Sequence, residues 1–377
     1  MKSFFKFFTF LICLSVFTMS VSSLIAGAVS VSAQACIVID ADTGDILFGK
    51  SESEKLPMAS TTKIMSTLLV LEHGDLDEEF TVDPNAIKVE GSSMGLKAGY
   101  KVTLRKLCYG MMLPSGNDAA NAAAVRISGS VKDFVSLMNE KAQQLGLKST
   151  HFVTPSGLDD DTDDHYSTAY DMAILMKEAL KNQTFREIIA TKTMTVDFGK
   201  GNSNQLVNSN KLLDECTGML GGKTGFTDKA RRCLVSACER DGATLICVTL
   251  NDPDDWGDHT TLFNQCFQRY NTVTLKSSSD TFKLPVVGGK GEFVTAECGS
   301  VKRAVFAGDT SSVEEQIIIK PFYYAPVKAG DTLGQVVFTK NGEVLASTPI
   351  IATSTCKQNK EKVGVLKKIE LFFKNLF

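Results

Sequence analysis

The sequence has few histidines and carries no strong net charge of either sign. Its 377 residues include four histidines, His73, His151, His165 and His259, and no Cys-x-x-Cys pair, so metal-ligand spacing is absent. The net charge of −3 gives no global basic field, and we expect no nucleic-acid partner. The proportions, 43% hydrophobic and 22% charged, exclude a disordered, collagen-like or coiled-coil chain. Chemistry has to come from a local site.

The ten cysteines do not form an obvious disulfide framework. Cys13 lies in the N-terminal apolar segment, which leaves an odd number of nine. Cys233, Cys238 and Cys247 lie in strand-like apolar runs, where a free thiol behaves as a small hydrophobic side chain. We therefore predict mostly unpaired thiols, although exported proteins normally pair their cysteines.

The N-terminal segment has the pattern of a secretory signal peptide. Lys2 and Lys6 precede an uncharged stretch over 7–25, and small residues follow at 26–28 and again at 33–35. We place the signal peptide at residues 1–28; a retained membrane anchor is the alternative, since 19 uncharged residues could span a bilayer. Both interpretations predict a protein that works outside the cytoplasm.

The C-terminal segment has the pattern of a basic amphipathic helix. Between 357 and 377 there are six lysines and two glutamates, and apolar residues recur at helical spacing from Val365 to Phe377. We predict a linker and helix over 353–377, with residues 363–377 lying on an anionic membrane surface. The alternative is a helix that packs against its own domain.

The central part of the chain predicts an α+β domain over 29–275. Strand-like runs stand at both ends, and segments with helical spacing lie between them, which favours an antiparallel sheet whose last strands pair with the first. The predicted strands are Cys36–Asp40, Asp45–Phe48, Arg232–Cys238 and Thr244–Asn251. The predicted helices are Ser60–Glu72, Leu104–Met112, Asn117–Ile127, Val131–Leu145, Thr168–Lys181 and Thr260–Tyr270.

Residues 276–352 predict a second, smaller all-β domain. Short β-rich runs follow one another, and Asn341-Gly342 between two of them is a strong hairpin signal. The segment has no histidine and no defined cluster of acids, so we expect no catalysis there.

Ser60 and Lys63 are the first candidate site residues. At positions i and i+3 of a predicted helix they share a face, and Ser60 stands near the helix start. A serine hydroxyl needs an adjacent base to become a nucleophile. Lysine can be that base only when neutral, which costs about 4.6 kcal/mol at pH 7 from an unperturbed pKa. Burial and a neighbouring cation have to lower that pKa.

Two further motifs complete a possible site. Ser115-Gly-Asn117 offers a hydroxyl for proton transfer and an amide that can both donate to and accept from a peptide bond. Lys223-Thr224-Gly225, placed by the sequence just before the strand at Arg232, offers a cation and a hydroxyl that suit a carboxylate. Lys223 is also the cation that could lower the pKa of Lys63. Each motif alone is common; Ser115-Gly-Asn117 alone would be a helix-capping turn and Lys223-Thr224-Gly225 a surface turn.

In this order the three motifs resemble those of penicillin-binding proteins and class A β-lactamases. The surrounding segments, among them Pro57–Met65 and Leu113–Ala120, are similar to serine D-alanyl-D-alanine carboxypeptidases, the low-molecular-mass penicillin-binding proteins, over residues 36–352. The resemblance implies a transpeptidase/β-lactamase-like domain, a small β-domain and a C-terminal amphipathic helix. It also implies removal of the terminal D-Ala from peptidoglycan stem pentapeptides, acylation by β-lactams, attachment to the outer face of the cytoplasmic membrane, and no metal or cofactor.

The resemblance also implies roles for the motif residues. Ser60 would be the nucleophile, Lys63 its base and Ser115 the proton relay to the leaving group. Asn117, Lys223, Thr224 and Gly225 would bind substrate, and the backbone of Phe226 would contribute to the oxyanion hole. Two positions depart from the family pattern: Thr154 stands where the family usually has Asn, and Arg231 where it often has Gly.

Four other functions are compatible with part of these observations. A β-lactamase would need a dedicated deacylating Glu, and no clear motif for one lies between Ser115 and Lys223. A DD-endopeptidase would share every motif. A non-catalytic wall-binding scaffold, or a β-domain that carries the function by docking, would not need the intact triple motif.

Overall fold

The computed structural model describes residues 30–159 and 162–359. The predicted signal peptide and the predicted amphipathic helix lie outside these residues, except for the short linker up to 359. Within the described part of the chain, no helix is both long and apolar enough to cross a membrane.

The first domain is built on a five-stranded antiparallel sheet with strand order β2-β1-β9-β8-β7. The predicted return of the last strands to the first is confirmed, because β1 pairs with β9. The strands of this sheet are β1 (Ala35–Asp40), β2 (Ile46–Lys50), β7 (Met219–Thr227), β8 (Arg231–Arg240) and β9 (Ala243–Leu250). Strand β9 is buried along its whole length, as expected for a strand covered on both faces.

Helices and two short antiparallel strand pairs lie between the first and last strands of this sheet. The helices are α1 (Lys63–His73), α2 (Leu104–Met112), α3 (Asn117–Ser128), α4 (Val131–Gln144), α5 (Ala169–Ala179), α6 (Gln183–Ala190) and α7 (Leu212–Glu215), with α8 (Asp255–Phe267) after the sheet. The remaining strands of this part are β3 (Phe80–Thr81), β4 (Lys101–Val102), β5 (Thr193–Gly199) and β6 (Asn202–Val207). The predicted helices agree with α1 to α5 within a few residues.

Side-chain caps explain where several of these helices begin. Thr103, Ser130, Thr168 and Asn182 each accept a hydrogen bond from the backbone N–H three residues later. The amphipathic helices then bury their apolar faces in one core with the inner face of the sheet, including Met65, Phe134 and Ile246. This core fixes the helix starts that carry the candidate site.

Two predictions for this domain were wrong. The closing helix is Asp255–Phe267 rather than Thr260–Tyr270, because Asp255 and Asp258 favour its first turn and Tyr270 already belongs to a strand. Lys223-Thr224-Gly225 is not a turn before a strand: it lies inside β7, the edge strand of the sheet.

The second domain is all-β, as predicted. Its six-stranded sheet has the order β14-β16-β17-β12-β11-β15 and a separate apolar core that includes Phe282, Val336 and Ile350. The strands are β10 (Tyr270–Leu275), β11 (Thr281–Val287), β12 (Phe293–Cys298), β13 (Val301–Phe306), β14 (Val313–Ile319), β15 (Tyr323–Tyr324), β16 (Thr332–Lys340) and β17 (Glu343–Ala352). Asn341 and Gly342 have positive φ between β16 and β17, which confirms the hairpin.

Polar contacts join the second domain to the β1–β2 turn. The guanidinium of Arg303 on β13 contacts the carboxylate of Asp42. Lys340 Nζ lies 3.0 Å from Asp45 Oδ2, and Asn341 Nδ2 donates to Asp45 Oδ1 at 2.7 Å. The domain boundary at 275/276 stays a prediction; β10, just before it, pairs with β13 just after it.

The described cysteines form no disulfide with one another, where the sequence predicted mostly unpaired thiols. All nine carry free thiols, and all but Cys298 are buried: Cys36, Cys108, Cys216, Cys233, Cys238, Cys247, Cys266, Cys298 and Cys356.

Candidate active site

Ser60 stands in a short 3₁₀ turn, Ala59–Thr62, that leads directly into α1. The two threonines inside the motif hold this turn: Thr61 Oγ1 donates to Met58 O at 2.6 Å and Thr62 Oγ1 to Ala59 O at 2.8 Å. Ala59 has φ +48°, an uncommon conformation for a residue with a side chain. The turn therefore holds Ser60 in one defined position at the helix start.

Lys63 is fully buried, and its amine lies among three oxygen atoms. Its Nζ is 2.8 Å from Ser60 Oγ, 2.8 Å from Asn117 Oδ1 and 2.6 Å from Ser156 O. Burial lowers the pKa of Lys63 well below its usual range, and the charge of Lys223 lowers it further, while Asp118 opposes the shift. A neutral amine has two N–H groups for Asn117 and Ser156, which leaves its lone pair facing the hydroxyl of Ser60.

Ser115 and Asn117 enter the site from the start of α3. Ser115 has φ +65°, and Asn117 is the first residue of the helix. Asn117 Nδ2 donates to Glu90 O at 2.7 Å while its Oδ1 faces Lys63, so both ends of the amide are fixed. The segment is also the turn at the start of α3, as the helix-capping alternative predicts: Gly116 is the N-cap, and no side chain caps the helix.

Asp118 attaches the neighbouring loop to this segment. Its carboxylate accepts from Ser93 Oγ at 2.6 Å, from Met94 N at 2.9 Å and from Leu96 N at 3.0 Å. A Cβ at Gly116 would lie 2.8 Å from Asp118 Oδ1 and 2.9 Å from Met94 N, so only glycine fits between them. The 92–96 loop is thus held against the motif.

Lys223 is buried on β7 and faces the site from the sheet. Its Nζ donates to Thr224 O at 2.7 Å, and burial lowers its pKa to about 7. A Cβ at Gly225 would be 3.1 Å from Ser60 N and 3.1 Å from Met58 O. Glycine therefore allows the edge strand to approach the backbone of Ser60 closely.

An open cavity of about 400 Å³ lies over these groups. Phe226 is exposed at its rim. The eight predicted site residues converge here, although Lys63, Asn117 and Lys223 lie below the cavity surface. The residues that line it are Ser60, Ser92, Pro114, Ser115, Ser209, Lys211, Thr224, Gly225, Phe226, Arg232, Asp255 and Trp256.

One cationic group in this cavity was not predicted from the sequence. Arg232, at the start of β8, contacts the buried carboxylate of Asp255 at 2.5 Å and lies 5.4 Å from the centre of the Trp256 ring. Asp255 and Trp256 are the first two residues of α8, so Arg232 on β8 meets them only because the fold brings β8 and α8 together. The strand pairing of Phe226 with Arg232 is the signal that places this arginine beside the motif.

The loop at 154–157 supplies a backbone contact that no motif predicted. Thr154 Oγ1 accepts from Gly157 N at 3.0 Å and donates to Leu158 O at 3.1 Å, so the threonine closes this turn by itself. A Cβ at Gly157, which has φ +90°, would be 2.0 Å from Ala59 O. The departure at Thr154 therefore leaves Ser156 O in contact with Lys63.

His165 supports the site from behind and does not reach the cavity lining. Its Nδ1 accepts from Val153 N at 3.0 Å, so the proton is on Nε2, which lies 2.7 Å from Thr62 Oγ1. Burial lowers the pKa of His165 to about 3, with smaller contributions from His151 and Lys63. The ring is neutral at physiological pH and holds the turn that carries Ser60.

Comparison with known proteins identifies the family. The sequence profile described as D-alanyl-D-alanine carboxypeptidase matches residues 21–254, and that of the penicillin-binding protein 5 C-terminal domain matches residues 270–358. The chain belongs to the D-alanyl-D-alanine carboxypeptidase family. It is a serine-type carboxypeptidase of the penicillin-binding protein group, and its second domain is that group's C-terminal β-domain.

Individual relatives cover most of the chain. D-alanyl-D-alanine carboxypeptidase DacF of Bacillus subtilis is 34% identical over 349 residues, which is 89% of this chain and 87% of that protein. DacC of Escherichia coli is 33% identical over 353 residues, 88% of this chain and 86% of that protein. The crystal structure of penicillin-binding protein 5 from Haemophilus influenzae is 28% identical, with a TM-score of 0.63, and covers 88% of this chain and 100% of that chain. Both domains are therefore shared.

Proposed function

We propose that Ser60 is the nucleophile of this carboxypeptidase and that it forms a covalent acyl-enzyme. The contact of 2.8 Å between Ser60 Oγ and the buried Lys63 Nζ is the observation that carries the proposal. Ser60 Oγ attacks the carbonyl carbon of the penultimate D-Ala while its proton moves to the neutral Lys63. A general base at this distance is worth about 10²–10⁴ in rate.

The leaving group needs a proton, and Ser115 stands in the cavity lining to relay it. In the proposed step the C–N bond between the two D-Ala residues breaks, and the proton that Lys63 accepted passes through Ser115 Oγ to the departing nitrogen. Water then attacks the carbonyl carbon of the ester while Lys63 takes its proton; the bond from that carbon to Ser60 Oγ breaks, Lys63 returns the proton to Ser60 Oγ, and the shortened peptide leaves. Asn117 keeps the Lys63 amine oriented throughout, since it contacts that amine at 2.8 Å.

The substrate would bind along the open edge of β7. An extended peptide can add to a sheet edge as a further strand, which suits an edge that reaches Ser60 at Gly225. The Lys223 ammonium and the Thr224 hydroxyl would bind the terminal carboxylate. Backbone N–H groups of Ser60 and Phe226 would stabilise the oxyanion at the attacked carbonyl.

The proposed substrate is the peptidoglycan stem pentapeptide that ends in D-Ala-D-Ala. β-Lactams would acylate the same serine, because their strained amide presents a carbonyl and a carboxylate in a similar arrangement. No step in this scheme assigns a task to a metal or a cofactor. Export through the signal peptide at 1–28, and attachment to the outer face of the cytoplasmic membrane through residues 363–377, belong to the same proposal.

The test is D-alanine release from a peptide ending in Lys-D-Ala-D-Ala. Wild type, Ser60→Ala and Ser136→Ala are compared, because Ser136 is an exposed serine on α4 outside the cavity. We expect release by wild type and Ser136→Ala and loss by at least about 10³-fold in Ser60→Ala. Equal release by all three would exclude Ser60. Cleavage of cross-linked dimers without D-alanine release would indicate an endopeptidase, and rapid turnover of penicillin a β-lactamase.

A further inference from the structure

The outer face of the second domain carries a continuous apolar surface, which we call the outer patch. Side chains alternate along β11, so Pro285 and Val287 point away from the core. Strand pairing places Phe293 opposite Pro285 and Tyr324 opposite Val287. The Phe322 ring packs against that of Tyr324 at 5.4 Å between centres. The outer patch consists of Pro285, Val287, Phe293, Phe322 and Tyr324.

The outer patch remains open to solvent in the described structure. The exposed fraction is 73% for Tyr324, 49% for Val287, 45% for Phe293 and 44% for Phe322. The opposite face of β11 fills the domain core with Phe282, Leu284 and Val286. A sheet that buries one face and leaves aromatic residues on the other marks an interaction surface.

The chain leaves the described structure beside the outer patch. Asn359 N donates to Gly288 O at 2.9 Å, and Lys290 N donates to Lys357 O at 2.8 Å. Gly288 follows Val287 directly, so residues 360–377 start at the border of the patch. Those 18 residues contain five lysines and two glutamates together with five aromatic or leucine side chains after 370, and they include residues 363–377, for which we proposed membrane attachment.

Lysines surround the outer patch. Lys283 Nζ lies 4.4 Å from the centre of the Phe293 ring, and Lys320 lines a groove together with Phe322 and Tyr324. Lys290 follows Val287 by three residues. Aromatic side chains at the level of lipid headgroups, with lysines that extend their charge to anionic phosphates, are typical of an interfacial surface.

We propose that the outer patch is a second membrane-contact surface, which rests on the anionic bilayer to which residues 363–377 attach. This inference rests on the proposed membrane attachment and extends it. Two linked contacts bind more tightly than either alone, because the first holds the second at high effective concentration. The β-domain would then lie against the bilayer in a fixed orientation.

The test measures binding of the full chain to vesicles of phosphatidylglycerol and phosphatidylcholine. The variant Val287→Ser/Phe293→Ser/Tyr324→Ser is compared with wild type and with the control Val207→Ser/Val344→Ser, which removes exposed apolar residues elsewhere. We expect the patch variant to bind at least about tenfold more weakly than both, since each lost contact removes apolar area from the interface. Vesicles without phosphatidylglycerol should bind all three proteins more weakly.

D-alanine release in solution separates this inference from the proposed function. It should be unchanged in the patch variant, because the substitutions lie outside the cavity. Absence of D-alanine release by the wild-type protein would refute the proposed function. Equal vesicle binding by the patch variant and the control would refute the membrane-contact inference. Patch-dependent dimers in sedimentation, with unchanged vesicle binding, would also overturn it and assign the patch to a second copy.

A fluorescence measurement covers the case in which the triple variant does not fold. The indole introduced by Tyr324→Trp should be quenched by brominated lipid in the vesicles, whereas Trp256, the tryptophan in the cavity, gives the background in wild type. Quenching no greater than that of wild type would contradict membrane contact by the patch.

Discussion

Lys63 Nζ lies 2.8 Å from Ser60 Oγ at a position without solvent exposure. The two residues are one helical turn apart, so the distance follows from the sequence spacing. The lowered pKa of the Lys63 amine follows from the fold, because the amine is buried and lies near the charge of Lys223. The proposed mechanism depends on both.

Replacing Lys63 should stop acylation and leave the fold intact. In Lys63→Met the side chain keeps its apolar stem but offers no base, and we expect acylation by a fluorescent penicillin to slow by about 10²–10⁴. The thermal midpoint should not fall greatly, since the costly burial of an amine is removed. Labelling at the wild-type rate would show that another group takes the proton.

The two buried lysines should shape the pH dependence of kcat/KM. Lys63 has to be neutral to act as base, so activity should rise with pH as Lys63 loses its proton. Lys223 has to be charged to bind the carboxylate, and burial lowers its pKa to about 7, so activity should fall as pH rises beyond that value.

Lys223→Arg distinguishes the two limbs of this profile. A guanidinium stays charged at pH values where the Lys223 amine is neutral. The fall in activity at alkaline pH should therefore shift to higher pH, while the rise in activity from acid pH stays where it is. A wild-type profile that falls at high pH, with an identical fall in Lys223→Arg, would exclude Lys223 as its source.

Gly157→Ala should destabilise the protein through the turn that carries Ser60. Its Cβ would meet Ala59 O at 2.0 Å, and its φ of +90° is unfavourable for alanine. We expect a loss of about 2–4 kcal/mol in the free energy of unfolding by urea denaturation. Gly146→Ala is the matched control, because its φ is +72° but no atom lies within 4 Å; about 1 kcal/mol is expected there. Similar losses in both would show that the clash is relieved.

The motif residues could be predicted from the sequence because each role needs a particular side chain at a fixed spacing. Ser156 could not, since its contact with Lys63 is made by a carbonyl that every residue has. Arg232 and Asp255 were missed because strand pairing and the start of α8 bring them together from 23 residues apart. Lys223-Thr224-Gly225 was placed just before the strand at Arg232, because the motif alone is typical of a surface turn; the two glycines that precede Lys223 permit close packing within β7.

Cys216 should react ahead of the buried thiols of Cys108 and Cys233. The neighbouring Cys238 and Arg240, whose guanidinium is 3.4 Å from Cys216 Sγ, lower the pKa of Cys216 to about 6 against the effect of burial. Burial raises the pKa of Cys108 and Cys233 to about 12. Iodoacetamide at pH 7, followed by peptide mass mapping, should modify Cys216 ahead of these two, and Arg240→Gln should slow that reaction. Labelling of Cys108 or Cys233 as fast as Cys216, or faster, would contradict the lowered pKa of Cys216.

Mass spectrometry of the protein after brief exposure to benzylpenicillin tests the central claim most directly. The account predicts one added penicilloyl group on the peptide that contains Ser60, and no adduct in Ser60→Ala. An adduct on another residue, or a wild-type protein that releases D-alanine yet never carries an acyl group, would contradict it.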